Sequence, residues 1–169
     1  MPRSLFEGNI RVDALATAPA DPEAISVASD LTGAVALSKA IMRAGFRLSP
    51  SGSDTLNEAT LEDTGNAVDY GASNFDASMT LFRYLDASGK SDATQDIAYE
   101  LFTGKGIFLW LVKRVGPSAK TPLAVGDVVD LYPVVTDDPQ DPTDLTGYVK
   151  FVQPLGVQGG VVLRTELVA

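Results

Sequence analysis

The 169-residue sequence contains neither cysteine nor histidine. Without cysteine no disulfide can form and no thiolate is available as nucleophile or ligand. Without histidine, Ser-His-Asp and Cys-His catalysis and imidazole metal sites are excluded. Cations are scarce as well. Thirteen Lys and Arg stand against 22 Asp and Glu, a formal charge of −9. A surface that grips phosphates needs clustered Lys and Arg, so the balance excludes tight nucleic-acid binding, though not a place beside nucleic acid. The longest apolar run, Ile107 to Val112, is too short to span a bilayer. Met1-Pro2-Arg3 leads into Phe6-Glu7-Gly8-Asn9 with no apolar core of a signal peptide. The expectation is a soluble single domain over 1–169 with no cofactor, no metal, no membrane and no enzymatic activity. The lack of cysteine fits an intracellular origin.

What is present is organised around Asn74 to Val115. Phe75, Ala77, Met79 and Leu81 alternate with Asp76, Ser78 and Thr80, the period of a half-buried strand. Asp92 is placed as a helix N-cap with Gln95 as its capping-box partner. Ala93, Ile97, Ala98, Leu101 and Phe102 then share one stripe of a helix over about 92–103, and Gly104 supplies its stop. The run 106–115 is apolar on both faces, with Ile107, Leu109 and Leu111 on one side and Phe108, Trp110 and Val112 on the other. Such a strand is covered on both sides, one by helix or core, the other by a second sheet or a neighbouring subunit.

Around this unit, residues 1–8 read as a short arm and Asn9 to Thr17 as a strand. Leu31 to Ile41 reads as a turn followed by a strand. Residues 43–71 are rich in Ser, Gly, Asn, Asp, Glu and Thr, and read as one long loop. Phe46 to Ser49 and Asn57 to Leu61 are its candidate short strands, flanking an extended hairpin. Three more strands follow, Val128 to Val135, Tyr148 to Gln153 and Gly160 to Val168, the last two joined through Pro154-Leu155-Gly156. Many turn-bounded strands and one helix predict a mainly β fold, a two-sheet β-sandwich or barrel with one flanking helix.

No catalytic constellation emerges. The acidic loop Asp137 to Asp144 lacks the spacing and central glycine of an EF-hand, which leaves at most an irregular cation site. Gly104-Lys105-Gly106 is too short for a phosphate loop. Ser49-Pro50-Ser51-Gly52-Ser53 is not a nucleophile elbow. Paired carboxylates can run glycoside hydrolysis, but among 22 acids a pair can always be drawn. Trp110 has only Lys113 and Arg114 near it in sequence, which fits core or interface better than a base-stacking platform.

The order of segments resembles the major tail (tail tube) proteins of long-tailed, siphovirus-type bacteriophages of actinobacteria. Phe6-Glu7-Gly8-Asn9-Ile10-Arg11-Val12 is similar to their opening strand. Ala20-Asp21-Pro22 through Asp30-Leu31-Thr32 is similar to the linker and strand entry that follow. Asn57 to Asp63 and Asn74 to Arg83 are similar to the segment after their long loop. The resemblance implies a structural virion protein that assembles in the bacterial host cytoplasm. Hexameric rings would stack into a tube, and one sheet of each subunit would join its neighbours' sheets into an inner barrel. DNA would pass through an acidic bore without specific binding. Its implied partners are further copies of itself and other tail proteins (tape measure, tail tip, terminator). Strand alternation then offers Asp76, Asp127, Asp130 and Glu166 as bore-lining acids. The loop 43–71 offers Phe46, Leu48, Leu56, Leu61 and Tyr70 as inter-subunit contacts. The rival readings are a terminator or decoration protein of the same virion, or a surface- or carbohydrate-binding β-sandwich.

Overall fold

The computed structural model describes residues 5–56, 58, 62, 65 and 68–169. Their fold is mainly β, as expected, with a single short helix. The strands are β1 (Ile10–Leu15), β2 (Val35–Ala36), β3 (Ile41–Pro50), β4 (Thr55–Leu56), β5 (Asp69–Tyr70) and β6 (Phe75–Phe82). After the helix α1 (Ile97–Leu101) come β7 (Phe108–Val115), β8 (Val128–Thr136), β9 (Lys150–Val157) and β10 (Val162–Glu166). One sheet runs β2-β1-β7-β8-β9-β6-β3 with β10 attached to β8, and β4 pairs with β5 in a second, two-stranded sheet.

The two layers of the fold are two halves of the large sheet, and β9 belongs to both. Its first part, Lys150 to Pro154, pairs with β6, while Leu155 to Val157 pair with β8. The sheet turns across this strand, so that Val12, Leu111 and Tyr132 of one half pack with Leu48, Met79, Leu81 and Phe151 of the other. Helix α1 adds Ala98 and Phe102 to the same core. Each large side chain so buried contributes roughly 1.5–3 kcal/mol. The barrel alternative is not realised among the described residues: there β3 pairs only with β6 and β2 only with β1, so the sheet stays open between β1 and β3.

The strand apolar on both faces sends side chains into two cores, with Phe108 on the second face left 47% exposed. Leu109 and Leu111 enter the main core, while Val112 enters a second cluster with Leu15, Val129 and Leu131. The cover that the subunit itself supplies on the second face is not a sheet. It consists of the irregular segment carrying Ile25, the β7–β8 loop with Leu123, and Leu167 after β10. The Val27 N–H donates to the Val168 carbonyl at 2.9 Å, and the Asp30 carboxylate accepts from the Ser26 N–H at 2.9 Å. The first bond ties the segment to the residues after β10, and the second braces the segment's own turn.

Several sequence expectations are corrected. The proposed loop 43–71 begins as strand: its candidate strand Phe46 to Ser49 lies within the longer β3, where Phe46 and Leu48 turn into the core while Arg47 stays exposed. The pairing of β3 with β6 then continues outward: Ser51 N–H donates to Asn74 O at 2.8 Å and Asp54 N–H to Ala72 O at 3.0 Å. The β4–β5 hairpin therefore extends the β3–β6 ladder as an exposed arm. The candidate strand 57–61 lies, apart from Glu58, outside the described residues, as do residues 1–4 of the expected N-terminal arm.

Helix α1 is shorter than 92–103. The Asp92 carboxylate caps a preceding turn, accepting from the N–H groups of Thr94 (2.8 Å) and Gln95 (3.0 Å). Gln95 is drawn off to Lys39 Nζ at 3.2 Å rather than closing a capping box. Ala93 is exposed rather than on the buried stripe. In 31–41 only Val35–Ala36 is strand before β3 begins, and Leu31 to Ala34 form turns with Gly33 at φ 81°. Pro154 and Gly156 lie within β9, where that strand changes partners, and not in a connection.

Candidate assembly surface

Where the sheet stays open, β1 and β3 border an apolar groove of about 320 Å³. The edge of β1 is only partly satisfied by backbone pairing. Val12 O accepts from the Leu37 N–H at 2.9 Å, but the Val12 N–H donates to the Ser38 side-chain oxygen at 2.8 Å. Beyond that point Ile10, Val12, Ile41 and Phe46 line the gap, and Phe6 and Glu7 stand at its margin. Glu7 and Arg43 form an exposed ion pair at 2.8 Å there. Further along, Lys113 reaches from β7 to donate to the Leu48 carbonyl at 2.8 Å while pairing with Asp130 at 3.1 Å. An inward cation on an edge carbonyl is one means by which a long edge strand is kept from uncontrolled pairing.

The four acids offered as bore-lining do not form one group. Asp127, Asp130 and Glu166 lie on or beside the β8–β10 pair, whereas Asp76 lies on β6 and pairs with Arg47 at 3.2 Å. Asp127 binds Arg114 at 2.6 Å and accepts from the Ala124 N–H at 2.9 Å. Burial alone would raise its pKa, but the Arg114 hydrogen bond and charge and the Ala124 N–H outweigh it and hold the carboxyl below the usual value. Asp130 pairs with Lys113 and accepts from the Arg164 N–H at 3.1 Å. Glu166 is exposed and has no salt bridge among the described residues.

The loop candidates divide in the same way. Leu48 is 3% exposed and belongs to the subunit's own core, and Phe46 packs against that core. Leu56 and Tyr70 are on the hairpin arm, 58% and 77% exposed. Leu61 lies outside the described residues. Of the acidic loop, Asp137 pairs with Lys105 at 2.9 Å and Asp144 lies 3.8 Å from Lys150. No group of three or more Asp or Glu with metal-holding geometry occurs among the described residues.

Sequence reasoning missed a pair of arginines that fix the β7–β8 loop. Arg114, 1% exposed, donates to the carbonyls of Pro122 (3.0 Å), Ser118 (3.0 Å) and Thr121 (2.9 Å). Arg11, its partner across the β1–β7 pair, donates to Ala119 O and Thr121 O, each at 3.2 Å. The signal was present: a Lys-Arg pair ending an otherwise apolar strand must either exit to solvent or find buried acceptors.

What these elements define is an open-edged β structure with exposed apolar features and no assembled catalytic group among the described residues. Residues 1–169 match the family model described as phage tail tube protein, and the chain belongs to that family. It is a structural phage tail protein by family. No curated protein matches it. No helix among the described residues is long and apolar enough to cross a membrane.

Proposed function

We propose that this chain is the subunit of hexameric rings that stack into the phage tail tube, the conduit through which the genome is delivered. The observation that carries the reading is the long unpaired edge of β3 on an open, curved sheet, in a chain that matches the tail tube family from end to end. An open edge takes a further strand, and a ring of copies would satisfy every edge at once. Copies of the same chain are the principal partner, and tape measure, tail tip and terminator proteins meet the tube at its core and ends. The chain is one functional domain, built into the virion after assembly in the host cytoplasm.

The bore in this reading is acidic. A charge of −9 per subunit repels phosphates, so DNA slides without adhering, and salt screens the repulsion over ~8–10 Å. Glu166 supplies unmatched charge, whereas Asp76, Asp127 and Asp130 are each offset by a neighbouring cation. Leu56 and Tyr70 on the hairpin arm are the inter-subunit contacts that the reading retains.

Negative-stain electron microscopy across a concentration series tests it. Hollow tubes or stacked rings of constant diameter are the expected result. Single rings that never stack, or isolated particles even when purified tail-tip complexes are added as nuclei, would count against the tube.

A further inference from the structure

The unpaired edge of β3 is not uniformly open. Ser51 N–H bonds to Asn74 O across the β3–β6 ladder, and the register makes Arg47 and Ser49 the preceding residues whose backbone groups face β6. Phe46, Leu48 and Pro50 alternate with them and turn their backbone groups to the free edge. Two of these three positions are blunted. Pro50 has no N–H to offer an incoming strand. The Leu48 carbonyl already accepts from Lys113 Nζ at 2.8 Å.

Strand β7 places Lys113 for this contact. The residue stands in register between Val12 of β1 and Asp130 of β8, on the face that also sends Leu109 and Leu111 into the main core. Its stem therefore starts on the core side of one half of the sheet, and its ammonium ends on a backbone group of the other half. The side chain is only 11% exposed. Each of the three ammonium hydrogens has an acceptor: Leu48 O, Asp130 Oδ2 at 3.1 Å and the Tyr132 hydroxyl at 3.3 Å. Asp130 is held in turn by the Arg164 N–H at the bulge of β10. A solvated lysine on an edge carbonyl would be displaced at little cost. This one is sheltered, charge-assisted and anchored on β8, so an arriving N–H competes with it for the Leu48 oxygen.

We infer that Lys113 is a latch on the β3 edge: its ammonium holds the Leu48 carbonyl in the free subunit and must swing off it before a second copy of this chain adds a strand there. Association is thereby restrained within the subunit itself. Asp130 is the anchor of the latch, and Pro50 is a fixed limit on how far an added strand can pair. The inference rests on the tube-subunit reading for the identity of the added strand, and the test below separates the two.

Two variants release the latch from opposite sides. Lys113→Met keeps an apolar stem and removes the ammonium. Asp130→Asn keeps the shape of the anchor and removes the charge that holds the ammonium. They change the net charge in opposite senses, so a shared direction of effect is not a general charge effect. Circular dichroism and urea midpoints identify the folded variants, and Asp130→Asn carries the decision if Lys113→Met does not fold. Sedimentation velocity across a concentration series measures where the full chain begins to associate, with micrographs of the same samples. A charge-assisted hydrogen bond broken at every joint weakens association by about tenfold or more. Lys113→Met should therefore associate at a severalfold to tenfold lower concentration than wild type, and Asp130→Asn should shift the same way by less. A lowered threshold that yields tubes of constant diameter supports latch and tube together. A lowered threshold that yields only dimers or irregular products supports the latch and counts against the tube. Folded variants that associate no more readily than wild type overturn the latch, and wild-type tubes in the same series leave the tube reading intact.

Discussion

Replacing Gly45 with alanine tests the packing argument with a single methyl group. Gly45 lies in the irregular part of the β3–β6 pairing, between the Ile41–Leu81 and Phe46–Met79 registers. A Cβ at this position would lie 2.2 Å from Thr80 Oγ1 and 2.5 Å from Thr80 Cβ. Rotating the threonine can move its hydroxyl but not its Cβ, which is fixed by the backbone of β6. The strands must therefore separate locally, and overpacking of this kind costs about 1–3 kcal/mol. The lower entropy of the unfolded alanine chain returns ~0.4–1 kcal/mol. The net expectation is a loss of about 1–2 kcal/mol. For a chain of this length that is a fall in melting temperature of roughly 2–8 °C. Urea denaturation followed by circular dichroism measures it directly. The companion Thr80→Gly variant removes the obstructing atoms, so Gly45→Ala should cost little in that background, a coupling visible in a double-mutant cycle. If Gly45→Ala is neutral or stabilising by itself, the close approach of β3 to β6 is wrong as described.

Three further outcomes follow from the buried polar groups. Asp127→Ala strands the buried Arg114 and should destabilise by about 3 kcal/mol at neutral pH. Because the folded-state pKa of Asp127 is depressed, its contribution is complete above the unfolded value of 3.8 and is lost as pH falls through the folded value. Urea midpoints of wild type and variant should therefore converge in acid and diverge near neutrality. Tyr132 is pushed up to about 12, first by burial and then by the charge and hydrogen bond of Asp130. Its stabilising effect persists below pH 10 and fades between there and about 12, and Tyr132→Phe should remove no phenolate absorbance that develops below pH 11. Arg83→Met leaves the fully buried Asp96 carboxylate without its 2.8 Å partner and removes the guanidinium 3.3 Å from the Tyr99 ring centroid. A loss of about 3–5 kcal/mol in chemical denaturation is expected.

The regular strands were legible because alternation is a local signal. Phe75 to Leu81 and the run ending at Val115 fall where their periodicity put them. Strand β3 was obscured because Arg43, Ala44 and Gly45 interrupt its alternation at the point where the pairing itself is irregular. The helix was overextended because Asp92 looks like its cap, whereas the helix starts only after Asp96. Only the tertiary fold shows that the Asp96 carboxylate is consumed by Arg83, Ser91 and the Tyr84 N–H. The turn in β9 leaves no local mark, since Pro154 reads as a break whether or not a strand continues through it. At the candidate surface, the arm's polarity and apolar tips were visible in the sequence. The groove was not, because it is made by a pairing between β1 and β3 that does not occur.

The position of β9 has a mechanical consequence. Among the described residues the two halves of the sheet have no other strand in common, so neither can peel away without breaking hydrogen bonds of β9 to β6 or to β8. Tension applied along the subunit loads those bonds together, and resistance to it is set by the weaker of the two ladders. The β8–β9 ladder, with Val134, Val135 and Thr136 facing Val157, Gly156 and Leu155, is the shorter. It is the seam at which a stretched subunit yields first, and the amides of residues 155–157 would be the earliest strand amides to lose their protection under load.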